Sequence, residues 1–199
     1  NVFIDKDCNF EKIIRLTELE NLFLAPANND LNGANVELHN IEHREKILKN
    51  KIEKIRYNYD FIFIDCPPSL GYLALNALVA SDAIIIPLQC EFLALDGLAQ
   101  LLNTYNLVKT RLNNSLKIFG ILLTMFDNSA HISNQIEKEV RDKFSDKVFK
   151  TTIPRDIRLT EAPSFGQPIM LYDMLSKSAA AYSLLAKEVL NNAKTIAAR

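Results

Sequence analysis

"YDFIFIDCPPSLG", residues 59–71, places a continuous apolar run immediately before an aspartate, a cysteine and two prolines. A run that is apolar without alternation, here 61–65 up to Asp65, is typical of a strand that neighbouring elements cover on both faces, as in a parallel sheet. Pro67 and Pro68 each fix φ and remove a backbone donor, so the chain leaves the strand stiffly. Asp65 is therefore predicted to lie at the carboxyl end of a strand, where open α/β sheets bind their ligands.

Short apolar runs alternate with segments of helical period along the rest of the chain. Such alternation predicts an α/β fold: a doubly wound, mainly parallel sheet with right-handed crossovers and helices on both faces. The 199 residues fit one domain, and we see no repeat or linker, so we predict a single domain over residues 1–199. The strand candidates are 22–26, 61–65, 83–88, 118–126 and 148–154, and the helix candidates are 40–56, 69–80, 94–112, 131–145 and 177–196.

Composition indicates an ordinary soluble protein, with 48% hydrophobic residues, 24% charged residues and a net charge of −1. Any DNA-binding surface must then be a local patch. Cys8, Cys66 and Cys90 are odd in number and form no CxxC pair, which favours a reducing compartment and argues against disulfides or a metal cluster. No apolar run reaches the ~18 residues of a membrane span, and no signal peptide is visible, so we predict a cytoplasmic protein without a membrane partner.

Residue type alone leaves two interpretations of Asp65 open. A carboxylate at the end of a rigid strand suits a nucleoside-triphosphate site, where it faces Mg²⁺ through a coordinated water. The alternative is that Asp65 ends the strand and accepts hydrogen bonds from turn amides. Ser69 can N-cap the helix that follows in either case.

Several longer stretches, in this order along the chain, closely resemble the ParA/Soj family of partition ATPases, the deviant-Walker relatives of MinD. They are "LFLAPANNDLNGANVEL" (22–38), "YDFIFIDCPPSLGYLALNAL" (59–78), "IIIPLQCEFLALDGLAQLL" (84–102), "GILLTMFD" (120–127) and "IPRDIRLTEAPSFGQPIMLYD" (153–173). The resemblance covers nearly the whole chain and implies a P-loop NTPase-like fold of the AAA_31/CbiA type.

The resemblance also implies site residues. Asp65 would be the Walker B aspartate, which holds Mg²⁺ through water only. Pro154 and Arg155 would line the adenine pocket, and Arg158 would bind DNA without sequence preference. The second switch, which responds to the γ-phosphate, would comprise Cys66, Pro67, Pro68 and Ser69.

By the same resemblance, ATP and Mg²⁺ are the cofactors. ATP would drive formation of a homodimer, the dimer would bind nonspecific DNA, and a ParB/Spo0J-like partner would stimulate ATP hydrolysis. The expected role is chromosome or plasmid segregation by a nucleoid-associated cytoplasmic protein.

Two departures from the family pattern stand out. The family opens with a glycine-rich loop that supplies two lysines, yet none of the five glycines here precedes a lysine and no G-x-x-x-x-G-K-S/T occurs. We therefore expect an N-terminally truncated family member that lacks its first strand and P-loop and is inactive as written. The alternative is a degenerate, non-enzymatic fragment that acts at most as a protein-interaction module. Ser129 also stands where many relatives carry an arginine that contacts DNA.

Three weaker patterns have competing interpretations. "HNIEH" (39–43) fits a zinc-protease pattern, but a surface helix is favoured because no third ligand is identifiable. The amphipathic segment 177–196 is predicted to pack on the core rather than to bind a membrane. A phosphate-binding patch and an ordinary solvated face are equally compatible with the basic residues Lys143, Lys147, Lys150, Arg155 and Arg158, because acids are interleaved with them.

Overall fold

The computed structural model describes residue 3, residues 8–67 and residues 71–197. These residues group into two compact units. The first unit comprises Asn1–Asp82 and Tyr105–Leu116, and the second comprises Ala83–Thr104 and Lys117–Arg199. The assignment of a single domain stays a prediction.

The first unit contains short helices and one small hairpin. Strands β1 (Arg15–Leu16) and β2 (Phe23–Leu24) pair antiparallel. The α-helices are α1 (Ala34–Glu37), α2 (Ile47–Ile52) and α3 (Tyr72–Ala80), and the 3₁₀ turns are Phe10–Ile13, Asn29–Gly33, Leu38–Asn40, Arg44–Lys46 and Arg56–Asn58.

Two buried amides hold the first unit together. Asn76 on α3 accepts a hydrogen bond from the Leu48 backbone N–H (3.1 Å) and donates to the Arg44 carbonyl (2.8 Å). Asn113 donates to the carbonyl of Ser81 (2.8 Å), just beyond the end of α3. Because both side chains are buried, these bonds satisfy backbone groups that water cannot reach.

The prediction of a buried strand over 61–65 is wrong. Residues 61–67 form no strand, and Phe61, Ile62 and Phe63 are exposed, Phe63 to 74%. A strand needs a neighbour for its backbone N–H and C=O groups, and in the described part of the chain no strand pairs with this run. The run 22–26 is also not covered on both faces, since β2 has only β1 beside it and both of its side chains are exposed.

The helix predicted over 40–56 is wrong as one continuous helix. His43 has φ +56°, in the left-handed region, so the backbone turns before the 3₁₀ turn Arg44–Lys46 and helix α2. The predicted helix 69–80 is confirmed as α3, which begins at Tyr72.

The second unit contains the parallel sheet. Strands β3 (Ala83–Gln89) and β4 (Lys117–Thr124) pair in parallel, from Ala83 opposite Lys117 to Gln89 opposite Thr124. The connecting helix α4 (Ala94–Arg111) contributes residues to both units. The further elements are α5 (His131–Phe144), α6 (Arg158–Glu161), α7 (Ile169–Tyr172) and α8 (Lys177–Ala197), with 3₁₀ turns Ser145–Lys147 and Ala162–Phe165. These bounds confirm the predicted strands 83–88 and 118–126 and the last three predicted helices.

The predicted strand 148–154 follows β4 in parallel but is interrupted. The Phe149 N–H donates to the Ile121 carbonyl and the Ile153 N–H to the Leu123 carbonyl, so four residues on this segment span two on β4. The backbone between these two hydrogen bonds bulges away from the sheet, and two side chains satisfy it. Arg141 on α5 donates to the Phe149 and Lys150 carbonyls, while Glu188 on α8 accepts the N–H groups of Lys150 (2.7 Å) and Thr151 (3.0 Å).

Helices cover both faces of this sheet, as the doubly wound prediction requires. Ile121 and Leu123 of β4 belong to a core cluster with α5, whereas Leu122 between them packs with Ala181 and Leu185 of α8. Helix α8 therefore packs on the core as predicted, although Leu184 and Leu190 on it are exposed. Within the described residues, no helix combines the length and apolarity needed to cross a bilayer.

Candidate functional site

Three parallel segments end side by side at the carboxyl edge of the sheet in the second unit. Glu91 follows β3, Asp127 follows β4, and Pro154 ends the third segment, where it bridges to Phe126. Arg155 comes next, and its N–H donates to the Phe126 carbonyl. This is the edge at which open α/β sheets bind ligands, so these residues form the candidate site of the second unit.

Arg155 lies between two acids of this edge. Its guanidinium forms an ion pair with Glu91, with Nη2 and Oε1 2.6 Å apart. Arg155 is also one of the groups that lower the pKa of Asp127. The planar guanidinium is thus oriented by its ion pair with Glu91, which suits it to stack on, or donate to, a planar ligand.

Ser129, which carries no charge, holds the carboxylate of Asp127 in place. Its side-chain hydroxyl (2.7 Å) and backbone N–H (2.9 Å) both donate to Oδ1 of Asp127. These two hydrogen bonds are the main reason why the pKa of the Asp127 carboxyl is lower than usual. Asp127 therefore favours its ionised form, and Ser129 holds this carboxylate at the carboxyl edge.

The residues predicted around Asp65 lie in the first unit. Asp65, Cys66 and Pro67 follow the run 61–64 in backbone without regular secondary structure, and all three are exposed. Partial desolvation, and secondly the adjacent Asp65 carboxylate, raise the pKa of the Cys66 thiol. Pro68 and Ser69, the rest of the predicted switch, lie outside the described residues.

Arg158 stands at the first position of α6 and is not an isolated cation. Its guanidinium lies 3.3 Å from Oε2 of Glu161 and 3.6 Å from Oδ2 of Asp173. Glu161 in turn accepts a hydrogen bond from the Tyr172 hydroxyl at 3.0 Å. The predicted DNA-binding arginine is therefore held among carboxylates, while its side chain remains 49% exposed.

The pattern at 39–43 does not lie on one helix, so the surface-helix interpretation is wrong as well. His39 belongs to a 3₁₀ turn and contacts the Tyr72 hydroxyl at 3.3 Å, whereas His43 has a left-handed backbone conformation, so the two are not one turn apart on a helix. Among the residues with a described position, no group of three or more His, Cys, Asp or Glu side chains could hold a metal ion.

Pro154 and Arg155, which the family resemblance singled out, lie at this edge, and so do Glu91 and Asp127, which were not among the predicted site residues. Glu91 comes two residues after the end of β3 and Asp127 three residues after the end of β4, so both lie close to the carboxyl end of an apolar strand. The rule that ligands gather beyond the carboxyl ends of parallel strands could have found them, had it been applied to every strand.

Comparison with known proteins identifies the family. A family model described as an AAA domain matches residues 1–118. The sporulation initiation inhibitor protein Soj of Bacillus subtilis is 51% identical over 192 residues, which are 96% of this chain and 76% of Soj. The chromosome partitioning protein ParA of Myxococcus xanthus is 50% identical over 184 residues, which are 92% of this chain and 65% of that protein.

The chain belongs to the ParA/Soj family of chromosome-partitioning ATPases. Its fold agrees with this assignment. The crystal structure of cobyrinic acid a,c-diamide synthase from Mycobacterium smegmatis superposes with a TM-score of 0.81 at 35% identity, over 97% of this chain and 71% of that one. The same synthase has been crystallised with bound ADP and magnesium. The fold of this ParA/Soj family member is thus that of the P-loop NTPases.

Proposed function

We propose that this chain works as a ParA/Soj partition protein in chromosome or plasmid segregation. In the proposed cycle ATP drives the formation of a homodimer, the dimer binds DNA without sequence preference, and a ParB-like partner stimulates hydrolysis. The observation that carries the proposal is about 50% identity to Soj and ParA over more than nine-tenths of the chain. The cycle places the protein in the cytoplasm, on the nucleoid.

The proposed roles of individual residues are those that the resemblance to the ParA/Soj family implies, and their chemistry is compatible with them. Asp65 accepts a hydrogen bond from a water bound to Mg²⁺, because a carboxylate is the ligand type that magnesium sites use. Pro154 offers an apolar face to the adenine, and Arg155, held by Glu91, lies beside it. Cys66, Pro67, Pro68 and Ser69 form the switch that responds to the γ-phosphate. Arg158 contacts the DNA backbone.

The residues present fit only part of a nucleotide. The carboxyl edge of the second unit combines an apolar ring, an oriented guanidinium and an ionised carboxylate, which suits a base. A triphosphate is held chiefly by loop amides and lysines, and the 199 residues contain no glycine-rich loop with a lysine. We therefore propose that this chain by itself does not bind Mg·ATP appreciably.

Calorimetry on the purified 199-residue protein tests that statement, and micromolar binding of Mg·ATP would overturn it. To test the function, a segment that carries the family's glycine-rich, two-lysine loop is joined upstream of the chain. We expect the chimaera to hydrolyse ATP and the Asp65→Ala variant to lose hydrolysis, while Asp60→Ala, which removes an exposed acid five residues earlier, retains it. If Asp65→Ala hydrolyses ATP at the parental rate, the magnesium role of Asp65 is wrong and Asp65 has only a structural role in the turn.

The second candidate is a non-enzymatic protein-interaction module. The exposed aromatic run at Phe61 and Phe63, whose rings stack at 6.1 Å, favours it, because large apolar side chains side by side at a surface mark interaction sites. A chimaera that folds but neither binds nor hydrolyses ATP would favour this candidate over the partition ATPase.

A further inference from the structure

The guanidinium of Arg158 is shared by two carboxylates from different elements. Glu161 lies one turn along α6, with its Oε2 3.3 Å from Nη1, and Asp173 lies just beyond α7, with its Oδ2 3.6 Å from Nε. The three side chains are partly exposed, so all of them can be reached by a large polyanion.

Both carboxylates are themselves fixed. The Tyr172 hydroxyl donates to Oε2 of Glu161 at 3.0 Å, and the Leu175 N–H donates to Oδ1 of Asp173 at 3.2 Å. The backbone N–H of Arg158 donates to Asp156. Because the neighbours hold the acids in place, little side-chain entropy is lost when they pair with Arg158.

The net charge of the patch formed by Arg158, Glu161 and Asp173 opposes the binding of a phosphate. One guanidinium faces two carboxylates, so this patch carries a net negative charge, and a DNA phosphate that approaches Arg158 meets two acids as well. Exposed ion pairs are weak, so a phosphate can compete for the guanidinium, but each carboxylate weakens the binding of that phosphate by roughly threefold.

We propose that Glu161 and Asp173 are positioning residues that hold Arg158 and restrain its contact with the phosphates of duplex DNA. This inference rests on the proposed function, in which Arg158 contacts DNA. The affinity for DNA then depends on a competition for the Arg158 guanidinium between the carboxylates of Glu161 and Asp173 and the phosphates of the DNA.

The test neutralises the acids and keeps their hydrogen-bonding oxygens. In Glu161→Gln the amide oxygen still accepts from Tyr172, and in Asp173→Asn it still accepts from Leu175. Binding of a short labelled duplex to the chimaera described above, with Mg·ATP present, is measured by fluorescence anisotropy over a series of salt concentrations. We expect each variant to raise the affinity at low salt by about threefold and the double variant by about tenfold. The slope of log affinity against log salt should become steeper by about 0.9 for each additional phosphate that the variant neutralises.

Two controls decide what the higher affinity means. Asp82→Asn makes the same change in net charge and releases Arg56 from an ion pair of 3.2 Å in the first unit. Adding Arg158→Ala to the double variant should abolish the increase. An equal increase in Asp82→Asn, or an increase that survives Arg158→Ala, overturns the inference, because the effect is then one of overall charge.

The remaining outcomes separate the inference from the proposed function. If Arg158→Ala weakens binding and the neutral variants do not strengthen it, the restraint is wrong and the DNA contact stands. If neither change alters binding, the DNA role of Arg158 fails and the restraint fails with it. If the parent binds too weakly to measure, the double variant must bind measurably, and a double variant that also fails to bind overturns the restraint.

Discussion

Replacing Glu188 by alanine should lower the free energy of unfolding by about 2 kcal/mol. The carboxylate accepts two backbone N–H groups in the bulge beside β4, from Lys150 at 2.7 Å and from Thr151 at 3.0 Å. A hydrogen bond to a charged group contributes roughly 1.5–3 kcal/mol when water cannot replace it. Lys150 is exposed and water can replace that bond, whereas Thr151 is half-buried, so most of the loss comes from Thr151.

Urea denaturation followed by circular dichroism measures the change, with a lower midpoint and an unchanged m-value expected. Glu188→Gln keeps one acceptor oxygen and should lose about half as much. Lys187→Ala, at the exposed neighbouring position of α8, is the matched control and should stay within about 0.5 kcal/mol of the parent. Hydrogen exchange should become faster at the amides of residues 150 and 151 in Glu188→Ala alone.

The reasoning is refuted if Glu188→Ala is as stable as Lys187→Ala, because the bulge amides would then be satisfied by water. It is also refuted if stability falls while exchange at the two amides stays slow, since the loss would then come from the packing of α8 rather than from the backbone of the bulge.

Three further predictions concern buried groups. Gly120→Ala should cost about 1–3 kcal/mol in urea denaturation, because an added Cβ would lie 2.6 Å from the Phe149 ring. Asn76→Leu should cost about 2–4 kcal/mol in the same measurement, since it leaves a buried N–H and a carbonyl without partners, and a near-neutral result would contradict the role of Asn76. Burial raises the pKa of Cys90 to about 11, so the unfolded chain loses this proton first as the pH rises. Its contribution to stability is complete below about pH 8.5 and is lost towards pH 11, by about 3 kcal/mol, and Cys90→Ala should remove this part of the pH dependence.

The apolar pattern of the sequence determined the elements of the second unit. The runs at 83–88 and 118–126 and the helical periods at 94–112, 131–145 and 177–196 all appear within two residues of their predicted bounds. The 94–112 helix contributes residues to both units, and the other four segments find their partners in the second unit, so the burial that the pattern demands is available. Pro154 and Arg155, which the family resemblance singled out, lie at the carboxyl edge of this sheet.

Tertiary structure decided what the pattern could not. The run 61–65 has the composition of a buried strand and is exposed, because a strand forms only where another strand pairs with its backbone. The bulge between Phe149 and Ile153 depends on Arg141 and Glu188, which are distant in sequence and meet it only in the folded chain.

The partners of charged and polar side chains were also decided by the tertiary structure. Arg158 was recognisable as a cation from the sequence, but the acids that share it come from a different turn and a different helix end, and only folding brings them within 4 Å. Likewise Ser129 looked like a missing charge and is in fact the group that fixes Asp127. A sequence states which side chains are available, whereas hydrogen bonds and ion pairs act over a few ångströms, so the partner of each polar group is settled by the packing of the chain.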